Sequence, residues 1–151
     1  MSVVHVKTVI QAPVERVWDT VMNPQRLREW VTIHRELKSA TDGPAHTGST
    51  MEQVLILRGV HFTVKWQLAR CDAPTDAEWA GKGPAGSRAL TRYHLTAQDG
   101  GTCFEYTNEF SAPGGMLGNV ASRVLVGGVS EREAQASLAR LKSLLESGTD
   151  N

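Results

Sequence analysis

The stretch that decides the fold is residues 60–69, VHFTVKWQLA, in which apolar and polar side chains alternate. Every second residue is large and apolar, namely Val60, Phe62, Val64, Trp66 and Leu68. The alternation returns at residues 103–110, CFEYTNEF. Because successive side chains of a strand point to opposite faces, both stretches predict strands with one covered face and one wet face. This pattern is typical of an antiparallel sheet.

Turn sequences on either side of these stretches divide residues 33–112 into six candidate strands. The turns are Asp42-Gly43-Pro44, Arg58-Gly59, Asp72-Ala73-Pro74, Gly83-Pro84-Ala85-Gly86 and Asp99-Gly100-Gly101. Such short connections favour sequential hairpins, and therefore a meander. Val4, Val6 and Val9-Ile10 predict one further strand at the start of the chain, which makes seven.

Two short helices are expected between the first and second strands. Proline at position 13 suits the first position of a helix, and the apolar residues that follow recur with helical spacing. They are Val14, Val17, Trp18 and Val21. Asn23-Pro24 predicts a cap and a new start, from which a second helix carries Leu27 toward Trp30.

A long C-terminal helix is expected from about residue 116 to Leu145, after Pro113-Gly114-Gly115 ends the sheet. Gly127-Gly128 interrupts it, and Ser130 with Glu133 forms an S-x-x-E capping box. Two alternatives follow. A single helix of ~45 Å could bend at the glycines and leave room for a ligand beside its backbone. Otherwise, Ser130 starts a second helix after a glycine stop.

The composition limits the classes of function. The chain has 151 residues, 40% of them hydrophobic, with 16 basic and 16 acidic side chains. We expect one domain over residues 1–151, ordered from about 3 to 146, without the net positive field that would attract nucleic acid. Residues 116–129 are too few for a transmembrane helix, and no signal peptide is recognisable. Cys71 and Cys103 are expected to be buried free thiols, which favours a cytoplasmic location.

Several catalytic and cofactor motifs can be weighed against simpler interpretations. Residues 81–86, GKGPAG, match G-x-G-x-x-G, but a strand-like segment follows and proline removes an amide donor, so a hairpin is favoured. The histidines lack metal-ligand spacing, and His61 and His94 lie on outward parities. Glu105 and Glu109 share a face that could support acid–base chemistry, but this face is expected to be solvated. No catalytic residue, metal or cofactor is therefore assigned.

The strand positions that are predicted to face inward are rich in aromatic side chains. They include Phe62, Trp66, Trp79, Tyr93, Tyr106 and Phe110, together with Asn108. These residues could simply form a core. A curved sheet covered by one helix can also leave a space that they do not fill, and apolar walls with a few polar groups suit a ligand pocket.

Several local segments resemble the START-like (SRPBCC) helix-grip superfamily, in its polyketide cyclase/dehydrase and lipid-transport branch. The resemblance rests on residues 12–18, APVERVW, and residues 24–30, PQRLREW, which look like the family's first two helices. Gly48 and Gly100-Gly101-Thr102 match the positions before its third and last strands. The order of elements also agrees over about residues 3–145.

This resemblance implies an α+β helix-grip fold, in which a curved seven-stranded antiparallel sheet wraps around a long C-terminal helix. It also implies a cavity between the sheet and the C-terminal helix for a lipid, polyketide or similar hydrophobic molecule, with the protein acting as carrier or sensor. The expected ligand-binding residues are Trp30, Phe62, Trp66, Trp79, Tyr93, Tyr106, Asn108, Phe110, Leu117, Val124 and Gly128. The alternative is a polyketide cyclase or dehydratase that uses the polar pocket residues. The sequence implies neither a nucleic-acid partner nor integral membrane association, and it leaves the oligomeric state undetermined.

Overall fold

Seven antiparallel strands form one curved, open sheet, as the alternating pattern predicts. The structure is a computed structural model that describes residues 2–111 and 128–147. The strands are β1 (Ser2–Ile10), β2 (His34–Ala40), β3 (Thr50–Leu57), β4 (Val60–Asp72), β5 (Asp76–Lys82), β6 (Arg88–Gln98) and β7 (Gly101–Ser111). Their order in the sheet is β1-β7-β6-β5-β4-β3-β2, so strands 2 to 7 form the expected meander.

The first strand lies at the edge of the sheet opposite β2, and this placement determines where the helices between the two strands lie. β1 pairs with β7, whereas β2 forms the opposite edge beside β3. The chain must therefore cross the open sheet between β1 and β2. It does so through α1 (Val14–Val21), a 3₁₀ turn (Pro24–Arg26) and α2 (Leu27–Trp30). These helices close one end of the concave face.

Local sequence signals account for most turns and caps. The Arg58-Gly59 and Asp99-Gly100 pairs all have positive φ, as a two-residue hairpin turn of type I′ requires. Asn23 Oδ1 accepts a hydrogen bond from the Gln25 amide and so caps the second helical segment. Pro13 precedes α1 as its N-cap and is not its first helical residue, which shifts the predicted start by one position.

The C-terminal helix α3 spans Glu131–Glu146 and is about 24 Å long. Ser130 Oγ accepts a hydrogen bond from the Glu133 amide, so the predicted cap is present. Gly128 lies before the helix with φ +73°, which excludes a single helix running through it. The expected helical segment before Gly128, with Leu117 and Val124, lies outside the described residues.

The core lies between α3 and the concave face of the sheet. Buried residues of α3 follow helical spacing and are Ala134, Ser137, Leu138, Leu141 and Leu145. Lys142 Nζ donates to the Val9 carbonyl, and Glu146 accepts from the Gln11 amide, which ties the helix to the β1 edge. The two thiols are half-buried, not buried as expected. Cys103 lies on a position of β7 that faces away from the core, whereas Cys71 lies near the end of β4 and packs against the margin of the core. Within the described residues, no helix is long and apolar enough to cross a membrane.

Candidate functional site

A small cavity lies between the concave face of the sheet and the segment that follows α1, and no residue of α3 lines it, although the cavity was expected between the sheet and the C-terminal helix. Its volume is about 30 Å³. The lining residues of this segment are Leu27, Val31 and Ile33, and those of the sheet are Met51, Gln53, Leu55, Trp66, Trp79, Thr91, Tyr93, Tyr106, Asn108 and Phe110. Apolar and aromatic side chains therefore surround a few polar groups, which is the composition typical of a small-molecule site.

Strand register explains why these side chains converge. Asn108 of β7 is paired with Thr91 of β6, which is paired in turn with Trp79 of β5. One row along the same face, Tyr106 is paired with Tyr93. Cross-strand partners hold their Cβ atoms roughly 5 Å apart. The meander thus places these residues side by side on the concave face.

Four aromatic rings form one wall behind the cavity. The Trp30 ring lies 6.1 Å from Tyr93, 6.0 Å from Phe104 and 6.5 Å from Tyr106, measured between ring centroids. The two tyrosine rings stack at 6.1 Å with 26° between their planes. Trp30 has no exposed surface. Edge and tilted contacts of this kind are favoured arrangements of aromatic pairs, so the four rings pack as one cluster.

Both tyrosine hydroxyls remain protonated over the physiological range. Burial raises the pKa of Tyr106 to about 12, although the hydrogen bond from Asn108 opposes the shift. Burial raises the pKa of Tyr93 further, with a contribution from neighbouring Tyr106. A neutral phenol can donate a hydrogen bond but cannot act as a base. The aromatic wall therefore offers hydrogen-bond donors to a ligand.

Asn108 and Tyr106 form a buried polar pair. The Asn108 Nδ2 amide donates to the Tyr106 hydroxyl oxygen. Within the described part of the chain, Asn108 Oδ1 and Trp30 Nε1 are buried without a hydrogen-bond partner. An unsatisfied buried polar group costs about 1–3 kcal/mol. Of these two residues, Asn108 lines the cavity.

A second polar chain leads from the cavity to the edge strand β2. Trp66 Nε1 donates to Gln53 Oε1 at 2.9 Å, and Gln53 Nε2 lies 2.8 Å from His34 Nδ1. Because the indole can only donate, the Gln53 amide presents its NH₂ group to His34, whose Nδ1 accepts. Burial lowers the pKa of His34, which favours this neutral form. Sequence reasoning missed Gln53, although it lies on the apolar parity of residues 51–57, MEQVLIL.

A glycine on β5 makes room for the Trp66 indole. A Cβ atom at Gly81 would lie 2.8 Å from Trp66 Cε3 and 2.7 Å from Val64 Cγ1. Real Cβ contacts are not this short, so the indole depends on the missing side chain to lie against the backbone of β5. Gly81 thus has a packing role, and residues 81–86 end β5 and lead into its connection to β6, as the hairpin interpretation predicts.

The structure separates the predicted site residues into groups. Those that line the cavity are Trp66, Trp79, Tyr93, Tyr106, Asn108 and Phe110. Trp30 packs behind the two tyrosines, and Phe62 is buried nearer the β3–β4 turn without lining the cavity. Gly128 does not line the cavity and packs against Phe110, since a Cβ there would lie 3.2 Å from Phe110 Cδ2. Leu117 and Val124 fall outside the described residues.

The outer face of the sheet carries the charged residues that were weighed as catalytic candidates. Glu109 Oε2 lies 3.4 Å from Arg92 Nη1, and Glu105 Oε1 lies 3.4 Å from His5 Nε2. His94 Nδ1 lies 2.8 Å from Asp76 Oδ1. These pairs face away from the cavity, as the parity predicts. Across residues 2–111 and 128–147, no cluster of histidine, cysteine or acidic side chains could hold a metal ion.

Comparison with known proteins gives a family match over nearly the whole chain. The family described as polyketide cyclase / dehydrase and lipid transport matches residues 1–146. A Mycobacterium tuberculosis toxin is 22% identical over 124 residues, which cover 81% of this chain and 86% of the toxin. An uncharacterised protein of the same organism is 23% identical over 133 residues, covering 87% and 93% of the two chains.

Solved structures of distant sequence share the fold. A Deinococcus radiodurans protein has a TM-score of 0.72 at 14% identity, with 98% of this chain and 99% of that chain covered. A protein from the dynemicin biosynthetic locus has a TM-score of 0.64 at 20% identity. That match covers 98% of this chain but 48% of the other, so this chain spans about half its length. At these identities the likeness concerns the fold.

Proposed function

We propose that this chain, which belongs to the polyketide cyclase/dehydrase and lipid transport family, binds a hydrophobic small molecule on the concave face of its sheet and acts as a carrier or sensor. The observation that carries the proposal is the cavity wall, where Trp66, Trp79 and Phe110 supply apolar surface and Asn108 and Thr91 supply isolated polar groups. Walls of this composition favour an apolar ligand and orient it through a few hydrogen bonds.

The cavity volume indicates how the ligand would enter. About 30 Å³ has room for one or two water molecules. Pockets for drug-sized ligands measure ~300–1,000 Å³. Side chains of the wall must therefore move when a ligand binds, and the affinity includes the free-energy cost of that rearrangement. A ligand that fits must replace the side-chain contacts it breaks with apolar contacts of its own.

A cyclase or dehydratase is the alternative function. These reactions move protons, and they need a base close to the bound substrate. Among the described lining residues, the titratable groups are Tyr93 and Tyr106, whose raised pKa values keep them protonated. His34 reaches the wall through Gln53. This arrangement supports binding better than proton abstraction.

Dye binding to a matched pair of variants tests the proposal. N-phenyl-1-naphthylamine should bind the wild-type protein, with enhanced fluorescence, and a long-chain fatty acid or an aromatic polyketide should displace it. Thr91→Phe places a ring in the cavity, whereas Leu90→Phe places the same ring on the outer face one residue away. We expect Thr91→Phe to weaken dye binding at least about tenfold, a difference of about 1.4 kcal/mol in binding free energy. Leu90→Phe should leave the affinity unchanged.

Circular dichroism and thermal unfolding would show that both variants are folded. The proposal fails if the wild-type protein binds no dye, or if the two substitutions weaken binding equally. Native mass spectrometry of gently purified protein provides an independent readout, because a retained ligand adds its mass to that of the chain. Loss of that added mass in Thr91→Phe but not in Leu90→Phe would place the ligand in the cavity.

A further inference from the structure

We infer that the ligand carries a neutral hydroxyl group that donates its proton to Asn108 Oδ1, with the Tyr106 hydroxyl beside it. The inference rests on the proposed function, since it names the chemistry that the same cavity selects. It gives the Asn108–Tyr106 pair the role of anchoring the polar end of a molecule that is otherwise apolar. Alcohols, phenols and enols belong to this class.

The burial of Asn108 is the first observation behind this inference. Asn108 lies within β7, is 5% exposed and lines the cavity. Its Nδ2 atom donates to Tyr106, whereas its Oδ1 atom has no hydrogen-bond partner among the described residues. A leucine would fill the same position without an unsatisfied atom. The amide therefore leaves an acceptor unused at the wall of the cavity.

The chemistry of the pair selects the ligand group. Asn108 Oδ1 can only accept, so its partner must carry a proton. Tyr106 accepts the Asn108 amide proton and retains its own proton for donation, so the same ligand group should also accept. A hydroxyl does both. An ammonium cannot accept, a carboxylate cannot donate, and either charge would be strongly disfavoured between apolar walls.

Three probes of nearly equal shape separate these properties. The 2-naphthol hydroxyl donates and accepts, 2-methoxynaphthalene only accepts, and 2-methylnaphthalene does neither. Titration followed by ¹H–¹⁵N NMR measures weak affinities and reports on the side-chain amide of Asn108. We expect 2-naphthol to bind at least about fivefold more tightly than either analogue, as one gained hydrogen bond implies. The Asn108 amide signals should shift most with 2-naphthol.

Variants show whether the preference comes from the proposed pair. Asn108→Leu removes the acceptor and should abolish the preference for 2-naphthol while retaining binding of 2-methylnaphthalene. Tyr106→Phe keeps the ring and should reduce the preference. Thr107→Val is the matched control, because it removes a hydroxyl group from the outer face of the same strand, one residue from Asn108 and away from the cavity. It should leave the preference intact.

The possible outcomes separate this inference from the proposed function. If all three probes bind equally well, a water molecule alone satisfies Asn108, and the hydroxyl assignment is wrong while hydrophobic binding stands. If 2-methoxynaphthalene matches 2-naphthol, the ligand only accepts a hydrogen bond, from Tyr106 or from the Asn108 amide, which overturns the assignment of Oδ1. Loss of the preference in Thr107→Val but not in Asn108→Leu would also overturn it. If no probe binds, both proposals fail.

Discussion

At the scale of single residues, the stability of the fold at alkaline pH depends on the chain's two tyrosines, Tyr93 and Tyr106. Both are buried, and the pKa of Tyr106 is raised to about 12. An unfolded chain ionises tyrosine near pH 10. The stability that each neutral phenol contributes is therefore fully present below about pH 10 and is lost as the pH rises through the folded-state pKa.

We predict that the free energy of unfolding falls above about pH 10, by about 1.4 kcal/mol per pH unit for each tyrosine. Urea denaturation between about pH 9 and pH 11 measures this slope. Tyr106→Phe should have a shallower slope by the contribution of one tyrosine, because the lysines titrate alike in both proteins. Equal slopes would show that Tyr106 ionises normally in the folded state.

At the scale of elements, the start of α3 is fixed by a close approach of the chain to β1 and β7. Gly128 has φ +73°, and its carbonyl accepts a hydrogen bond from Arg58 Nη1 at 3.2 Å. A Cβ atom there would clash with Ser2 Oγ and would lie 3.2 Å from Phe110 Cδ2. The structure thus gives Gly128 a packing role outside the helix, in place of the predicted bend within it.

We predict that Gly128→Ala lowers the free energy of unfolding by about 2 kcal/mol or more, since strained backbone and a steric clash both contribute. Gly43→Ala is the matched control, because Gly43 has φ +82° with open space around it. It should lose about 1 kcal/mol from backbone strain alone. Urea denaturation compares the two, and equal losses would mean that Ser2 and Phe110 move aside without cost.

At the scale of the whole molecule, the strand order separates the two cysteines. Cys71 lies on β4 and Cys103 on β7, with β5 and β6 between them. Three strand spacings amount to about 14 Å, whereas a disulfide needs Cα atoms within about 7 Å. Burial also raises the pKa of Cys71, whose thiol donates to the Ala45 carbonyl.

We predict two free thiols per chain in the denatured protein without reductant, measured with an aromatic disulfide reagent. In the folded protein, Cys71 should react more slowly than a model thiol near pH 8, because its raised pKa leaves less thiolate. Mass spectrometry after alkylation identifies which cysteine has reacted. An intact chain with no free thiol would contradict the order of β4 to β7.

On the proposed function, ligand entry is also a property of the whole molecule, because a cavity of about 30 Å³ is too small for a drug-sized ligand unless it enlarges. If opening precedes binding, the observed rate reaches a plateau as the ligand concentration increases. We predict such a plateau in stopped-flow mixing with N-phenyl-1-naphthylamine, followed by dye fluorescence. An observed rate that rises linearly over the whole concentration range would mean that the folded protein binds the dye without a slow opening step.

Local patterns in the sequence predicted the strands, the turns and the caps. Alternation at residues 60–69 fixes which side chains share a face, and a pair such as Asp99-Gly100 fixes a tight turn, because both effects depend on neighbouring residues. Ser130 caps α3 for the same reason. The resemblance to the family added the wrapping of the sheet around a C-terminal helix and the expectation of a cavity.

Only the tertiary structure decided which inward residues line the cavity and which pack behind it. The alternation along a strand predicts which face of the sheet a side chain lies on, but not what it contacts there. Phe62 and Trp66 therefore look alike in sequence, although of the two residues only Trp66 lines the cavity. The contact between Gly128 and Ser2 and the chain from Trp66 through Gln53 to His34 join distant elements. Such contacts depend on how strands and helices pack, and this is why the period of a single segment could not predict them.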